Sequence, residues 1–230
     1  MRICGLQKLT LLDYPGKIAA TVFLSGCNFR CPFCHNASLV LSPGDAPEIT
    51  REELLTFLET RRGLLDGVCV TGGEPLMSDG ATALIRDIKA LGFCVKLDTN
   101  GSFPERLGEL LSEGLVDYVA MDIKNSPEKY TLTAGLESLD IEKIKKSAAL
   151  IMASGAEYEF RTTLVRELHE RRDLITVGEW LTGAEKYFLQ HFEDSGDLIG
   201  SGLSGCSKEE SEAFARALTP YFGSVATRGL

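Results

Sequence analysis

Three cysteines near the N-terminus have the types and spacing of a metal centre. Cys27, Cys31 and Cys34 form a C-x3-C-x2-C segment within the loop of residues 26–36, called the cysteine loop below. Cysteine thiolates are the ligands of iron–sulfur clusters, and a [4Fe–4S] cube usually takes four of them. A set of three therefore leaves one iron without a protein ligand, which suits a cluster that acts on a bound molecule.

Two other interpretations of this segment stay open at this point. His35 could complete a zinc site with the three cysteines, although one loop can hardly aim the adjacent Cys34 and His35 at a single tetrahedral ion. The cysteines could also be unrelated buried thiols. The chain has 7 cysteines, and an odd number without an export signal favours reduced thiols over a disulfide framework.

The remaining four cysteines lack cluster spacing. We expect them to be small residues of the interior. One of them lies in a Gly/Ser-rich stretch and is the one expected to be exposed. The four are Cys4, Cys69, Cys94 and Cys206, the last being the exposed one.

The cysteine loop must be positioned by an alternation of strands and helices. Apolar, β-branched runs predict strands at 18–25, 67–71, 93–98, 118–123, 158–164 and 187–191. Amphipathic segments predict helices from 51 (capped by Thr50) to Gly63, and at 78–91, 104–112, 139–153, 173–181 and 207–218. This alternation is typical of βαβ units and a parallel sheet. About six strands are too few for an eight-stranded barrel, so an incomplete parallel barrel or an open doubly wound sheet remains.

Polar residues at the predicted strand ends are the further candidates for a site, because ligands of parallel sheets bind there. The second strand ends in Gly-Gly-Glu-Pro, whose glycines would let the backbone approach a ligand closely. The next strands end in Asp-Thr-Asn-Gly and Asp-Ile-Lys. Arg161 and His191 lie on the two strands that follow. Each candidate also has a structural interpretation: the glycines can form turns, Asp98 can cap a helix, Arg161 can form an ion pair and His191 can be a buried histidine. The residues are Gly72, Gly73, Glu74, Asp98, Thr99, Asp122, Lys124, Arg161 and His191.

Composition limits the class of protein. The chain has 230 residues, 44% hydrophobic and 25% charged, with a net charge of −9. This composition is that of a globular protein rather than a disordered one. An acidic chain does not favour a broad contact with nucleic acid or an anionic membrane. No apolar run reaches a membrane span and the N-terminus lacks a signal peptide, so we expect one cytoplasmic domain over residues 1–230.

The cysteine loop resembles the signature of the radical S-adenosylmethionine (SAM) enzymes. The resemblance implies a [4Fe–4S] cluster held by Cys27, Cys31 and Cys34, with the open iron chelated by the amino and carboxylate groups of SAM. It also implies that Phe33 lies beside the adenine. The fold it implies is α/β, an incomplete parallel (β/α)6 barrel of radical SAM type.

The strand-end motifs are similar to those of the glycyl-radical-enzyme activases within this family. The resemblance implies that the Gly72-Gly73-Glu74 segment holds the SAM amino group, and that Lys124 approaches the SAM carboxylate. It assigns a monovalent cation to three residues and SAM contacts to two more. The former are Asp98, Thr99 and Asp122, and the latter are Arg161 and His191. A valine at Gly73 is expected to block SAM while leaving the cluster in place.

The N-terminal Gly-x-Gln-Lys and Asp-Tyr-Pro-Gly segments are most similar to the activating proteins of anaerobic ribonucleoside-triphosphate reductase. The resemblance implies reductive cleavage of SAM to methionine and a 5′-deoxyadenosyl radical, which abstracts hydrogen from a glycine of that reductase. The partners implied are the reductase and a one-electron donor such as flavodoxin or ferredoxin, with no nucleic acid and no membrane. No side chain need act as acid or base. Alternatives are an activase of the pyruvate formate-lyase type, a radical SAM enzyme acting on a small molecule, an electron-transfer protein and a zinc-stabilised binding module.

Overall fold

The protein is described by a computed structural model that covers residues 1–42, 44 and 48–229. Its strands are β1 (Ile3–Thr10), β2 (Ala19–Leu24), β3 (Gly67–Gly72), β4 (Cys94–Thr99), β5 (Tyr118–Asp122), β6 (Glu157–Leu164), β7 (Lys186–His191) and β8 (Ser224–Arg228). The six strands predicted from apolar runs are confirmed as β2 to β7. Strand β8 adds a last parallel strand beside β7; residues 225–230 also look like a closing strand in the sequence, and of these Leu230 lies outside the described residues.

Strand β1 is not predicted from the sequence pattern. It pairs antiparallel with β2 at the edge of the sheet. Only its two end residues, Ile3 and Thr10, are buried, whereas the central residues are half-buried or exposed. An edge strand of this kind carries no continuous apolar run, which is the signal that identified the others.

The order of the strands decides between the two architectures that the sequence allowed. The eight strands pair in the order of the chain, from β1 to β8, and every pair from β2 to β8 is parallel. A doubly wound sheet needs a point where the order reverses, and this sheet has none. Successive right-handed crossovers in one direction place the helices on one face and curve the sheet into an incomplete barrel, as predicted.

The helices follow the predicted pattern with small shifts at their ends. They are α1 (Ala37–Leu41), α2 (Arg51–Glu59), α3 (Ala81–Ala90), α4 (Pro104–Ser112), α5 (Tyr130–Thr133), α6 (Ile141–Met152), α7 (Arg171–Trp180) and α8 (Lys208–Leu218), with a 3-10 turn at Pro75–Met77. Thr50 and Glu53 form a capping box that fixes the start of α2. That helix ends at Glu59 rather than at Gly63, because the chain turns through Arg61, whose N–H bonds to Leu58. Two short helices, α1 and α5, were not predicted.

The main core lies between the sheet and its helices. It is made of aliphatic side chains from the outer face of the strands, such as Val70, Leu97 and Val119, packed on Leu84, Ile85 and Leu107 of the helices. A second, small cluster closes the floor of the barrel, where Tyr14 packs edge-to-face on Tyr118 with ring centroids 5.9 Å apart. Among the described residues no helix is long and apolar enough to span a membrane.

Candidate functional site

The cysteine loop is anchored by backbone hydrogen bonds to three separate segments. The Gly26 N–H donates to the Leu39 carbonyl at 3.0 Å, and the Arg30 N–H donates to the Ala134 carbonyl at 2.9 Å. The N–H of Gly200 donates to the Pro32 carbonyl at 2.7 Å, so the loop before α8 also holds the cysteine loop. A loop fixed in this way presents its side chains in one arrangement.

The three cysteines line one cavity of about 270 Å³ at the carboxyl ends of the parallel strands. This volume is near the lower end of ligand pockets, which span about 300–1,000 Å³. All three are free thiols. The Cys27 sulfur accepts the Phe29 N–H at 3.3 Å and faces the side-chain amide of Asn100 at 3.8 Å. Three thiols with N–H donors aimed at one sulfur fit an iron–sulfur cluster.

Burial disfavours the charged form of these thiols in the metal-free protein. It raises the pKa of Cys27 to about 12 and also raises the pKa of Cys31. A buried thiolate needs a positive partner, and a bound metal supplies one, since metal ligation deprotonates cysteine. The environment therefore favours metal-bound cysteines over free thiolates.

The zinc alternative finds no support in this geometry. In the part of the chain that the structure describes, no three His, Cys, Asp or Glu side chains converge on a point where one ion could bind. The ring of His35 instead packs edge-to-face on Phe192, with centroids 5.5 Å apart. Thiolates at three corners of a cluster bind three different iron atoms, so they need not converge in this way.

The Gly-Gly turn that follows β3 packs directly against the cysteine loop. Gly72 has a φ of 123°, and a Cβ there would collide with the Leu24 backbone. A Cβ on Gly73 would collide with the Gly26 carbonyl and lie 3.3 Å from the Cys27 side chain. This packing opposes the expectation that a valine at Gly73 would spare the cluster, because the added atoms would displace the loop that carries Cys27.

Glu74 joins the ends of β3 and β4 rather than lining the cavity. Its buried carboxylate accepts the Thr99 hydroxyl at 2.9 Å, the Asn100 N–H at 2.6 Å and the Leu76 N–H at 3.0 Å. Burial raises the pKa of Glu74 to about 7, and these three donors oppose the rise. Thr99 itself does line the cavity. The predicted contact of Glu74 with the SAM amino group stays a prediction.

Charged side chains from three neighbouring strand ends form the other wall of the cavity. Arg161 lies between two carboxylates, with its Nε 2.5 Å from Asp122 and its Nη2 3.3 Å from Asp98. Lys124 pairs with Asp122 at 3.0 Å, and Lys96 pairs with Asp98. These five residues are called the ion-pair cluster below; Asp98, Asp122, Lys124 and Arg161 line the cavity, and Lys96 supports Asp98 from outside it.

The ion-pair cluster keeps its members charged despite their burial. For Asp122, burial alone would raise the pKa, but Arg161 and Lys124 lower it and the net shift is downward. Asp98 shows the same net lowering, with Arg161 and Lys96 opposing burial. The pKa of Lys124 is raised, since Asp122 outweighs the effect of burial. Buried charges are tolerated when they are paired in this way.

The structure brings together most of the residues predicted from the sequence and leaves two outside. The shared cavity is lined by Cys27, Cys31, Cys34, Phe33, Gly72, Gly73, Asp98, Thr99, Asp122, Lys124 and Arg161. His191 does not line it; Thr163 and Gln190 do so instead. Within the described residues, the Nδ1 atom of His191 is buried without a hydrogen-bond partner. Its predicted SAM contact remains untested.

The expected exposure of Cys206 is wrong. Cys206 is only 3% exposed and belongs to the main core. The segment that carries Cys206 is held against the core on both sides. A β-bridge joins Gly205 to Val165, and Ser207 and Glu210 form the capping box of α8. Cys69 is buried as expected, and Cys4 and Cys94 are half-buried.

Sequence reasoning missed two residues that shape the site. Lys96 lies on β4 two residues before Asp98, and alternate strand residues share a face, so the polar spacing could have revealed it. His169 holds the loop that carries Lys124, with Nε2 2.8 Å from the Lys124 carbonyl and Nδ1 accepting the Val165 N–H at 3.1 Å. No local signal marks His169, because the Lys124 carbonyl that it holds lies 45 residues earlier in the chain.

Comparison with known proteins places these features in a family. Residues 21–176 match the model of the radical SAM superfamily. A protein of Methanocaldococcus jannaschii, named "Putative glycyl-radical enzyme activating enzyme", is 34% identical over 98% of this chain and 95% of its own length. The pyruvate formate-lyase-activating enzyme of Streptococcus mutans is 30% identical over 79% of this chain and 72% of its own length.

A solved structure gives the same fold at low identity. The SuiB protein of Streptococcus suis, solved with bound S-adenosylmethionine, superposes with a TM-score of 0.67 at 14% identity. The match covers 91% of this chain and 52% of that one, so this chain spans about half of that structure. At this identity the likeness supports the fold alone.

Proposed function

This chain belongs to the radical SAM superfamily, whose members use a [4Fe–4S] cluster and SAM, and we propose that it activates a glycyl radical enzyme. The observation that carries the proposal is the single cavity that joins the three free thiols to the ion-pair cluster. It is supported by the identity of 34% to the M. jannaschii protein named "Putative glycyl-radical enzyme activating enzyme".

The residues of the cavity fit both groups. Cys27, Cys31 and Cys34 would hold three irons of the cluster, and Asn100 would donate to the Cys27 sulfur. When bound, the cluster and SAM supply a one-electron reaction that generates a radical able to take a hydrogen atom from carbon.

The charged wall of the cavity would orient a zwitterionic ligand. Lys124 and Arg161 offer cations to a carboxylate, and Asp98 and Asp122 offer carboxylates to an ammonium group or a sulfonium. The aromatic ring of Phe33 lies in the same cavity and would stack on a base. These residues position the ligand and exclude water, and none of them needs to transfer a proton.

We propose anaerobic ribonucleoside-triphosphate reductase as the first candidate substrate protein. The supporting features are the N-terminal Gly-x-Gln-Lys and Asp-Tyr-Pro-Gly segments. The one-electron donor would be a flavodoxin or a ferredoxin. The second candidate is a pyruvate formate-lyase, favoured by the 30% identity to the S. mutans activating enzyme.

The test is the formation of a glycyl radical on the partner. Anaerobically reconstituted protein, SAM and a reductant are mixed with each candidate partner, and electron paramagnetic resonance is recorded. We expect the doublet of a glycyl radical with the ribonucleotide reductase, and no doublet when the glycine near its C-terminus that would carry the radical is replaced by alanine. A doublet with pyruvate formate-lyase alone would select the second candidate. Turnover of a small molecule without any doublet would overturn the activase assignment.

A further inference from the structure

We infer that SAM binds to this site without an added monovalent ion. The side-chain cations of Lys96 and Arg161 neutralise the carboxylates of Asp98 and Asp122 in its place. The inference rests on the proposed function, in that the cavity is taken to bind SAM. It departs from the resemblance, which assigns a monovalent cation to the site of Asp98, Thr99 and Asp122.

Each carboxylate oxygen of the two aspartates already has a cationic partner. One oxygen of Asp98 pairs with Lys96, and the other lies 3.3 Å from Arg161 Nη2. One oxygen of Asp122 lies 2.5 Å from Arg161 Nε, and the other lies 3.0 Å from Lys124 Nζ. A monovalent ion at these oxygens would have to share each of them with a side-chain cation.

The charge balance also opposes an added ion. The ion-pair cluster sets three cationic side chains against two carboxylates, and therefore has a net positive charge. A free cation placed beside the Arg161 guanidinium would be repelled at short range, where burial weakens screening by water. Positive charge is therefore already supplied in full by the protein.

Lys96 reaches Asp98 from beneath the cavity, within the barrel. Its side chain is only 3% exposed and its Nζ lies 3.7 Å from the buried Cys69 sulfur of β3. Lys96, Asp98 and Arg161 together line a second cavity, of about 590 Å³, on that side. Lys96 does not line the cysteine cavity, so it acts as a positioning residue: it holds Asp98 without touching the ligand.

A buried lysine of this kind is costly unless it is paired. Asp98 is its ion-pair partner among the described residues, and the Asp98 side chain is itself only 14% exposed. Replacing Lys96 by an apolar residue would leave Asp98 with Arg161 alone. The vacated side of Asp98 would then be open to a small cation from solution.

The test measures SAM binding to the reconstituted protein without any partner protein. Equilibrium dialysis with radiolabelled SAM is performed under anaerobic conditions, in potassium chloride and in choline chloride of equal ionic strength. For the wild type we expect dissociation constants that agree within about twofold. For Lys96→Met we expect binding about tenfold weaker in choline chloride and largely restored by potassium.

The matched control is Lys186→Met. Lys186 lies on β7, three strands along the sheet from β4, and pairs with Glu157 at 3.4 Å rather than with either aspartate. The Lys186→Met protein should bind SAM with the wild-type dissociation constant in both salts. Iron and sulfide content, measured for every variant, shows that the cluster is present.

The outcomes separate this inference from the proposed function. Wild-type binding that tightens about tenfold with potassium would overturn the inference and leave the proposed function intact. Lys96→Met that binds SAM equally in both salts would also overturn it; if this variant does not fold, the wild-type comparison still decides. Failure of the wild type to bind SAM in any salt would overturn the proposed function together with the inference.

Discussion

The two walls of the cavity are built by different physical means. The wall formed by the cysteine loop and the Gly-Gly turn depends on backbone contacts: Gly73 N–H donates to the Leu24 carbonyl at 2.9 Å, and Glu74 N–H donates to the Gly26 carbonyl at 2.8 Å. The opposite wall, the ion-pair cluster, depends on side-chain charges from β4, β5 and β6. The first wall would hold the cluster and the second would orient SAM.

This difference predicts two kinds of response to substitution. A close contact between two backbone segments cannot accommodate an added Cβ, because one of the segments would have to move. The ion-pair cluster has five members, so removal of one leaves the other four and the backbone in place and should weaken ligand binding without removing the site. Changes in the first wall should remove the cluster outright, whereas changes in the second should reduce SAM affinity with the cluster in place.

The largest effect is expected for the cysteines of the first wall. Cys27→Ala, Cys31→Ala and Cys34→Ala should each abolish cluster assembly, because each removes the thiolate of one iron. The measurement is iron and sulfide content after anaerobic reconstitution. Cys69→Ala, Cys94→Ala and Cys206→Ala are the controls and should keep full content. A complete cluster in Cys31→Ala would remove the basis of the site assignment.

The second effect separates backbone contact from side-chain chemistry. Gly73→Ala should destabilise the fold by about 3 kcal/mol, as overpacking against a backbone does, and should lower iron content as well. Gly155→Ala is the matched control, because a Cβ at Gly155 meets nothing within 4 Å. The measurements are urea unfolding and iron content. Normal stability with lost SAM binding would instead restore the original interpretation of the turn.

The third effect tests the wall of charges. Arg161→Gln should keep the cluster and weaken SAM binding about 100-fold, since both buried aspartates lose a partner that lies on the cavity. Arg166→Gln, which removes an exposed arginine paired with Glu210, should change nothing. Loss of iron together with SAM binding in Arg161→Gln would contradict the independence of the two walls.

The smallest effect concerns His169, which supports the second wall through the Lys124 carbonyl. Burial lowers the pKa of His169 below its ordinary value. As the pH falls, His169 therefore takes up a proton near pH 6.5 in the unfolded chain and only at lower pH in the folded protein. The free energy of unfolding should consequently decrease as the pH drops through about 6.5. The limiting slope is about 1.4 kcal/mol per pH unit.

The measurement compares the free energy of unfolding of the wild type and His169→Gln between pH 8 and pH 5, a range of about three units. Glu74, whose pKa is raised to about 7, contributes a slope of opposite sign in both proteins and cancels in the difference. The wild type should lose more stability on acidification than the variant. Parallel curves would mean that His169 takes up its proton in the folded state.

The sequence by itself determined the first wall and the alternation of strands and helices that carries it. Cys27, Cys31 and Cys34 are close in the chain, and the Gly72-Gly73 pair marks a close approach because only glycine fits there. Strands β2 to β7 were visible because parallel strands buried on both faces give continuous apolar runs. These features are local in sequence, so local patterns are enough to find them.

Only the tertiary structure decided how the charges of the second wall pair with one another. The register of β4, β5 and β6 pairs Asp98 with Ala120 and Asp122 with Arg161, and this brings charges from residues 96, 98, 122, 124 and 161 into one cluster. The same long-range packing buried Cys206, brought His169 to the Lys124 carbonyl and turned Glu74 away from the cavity. Pairing between distant charges depends on strand register and burial, which are fixed by the whole sheet rather than by any one segment.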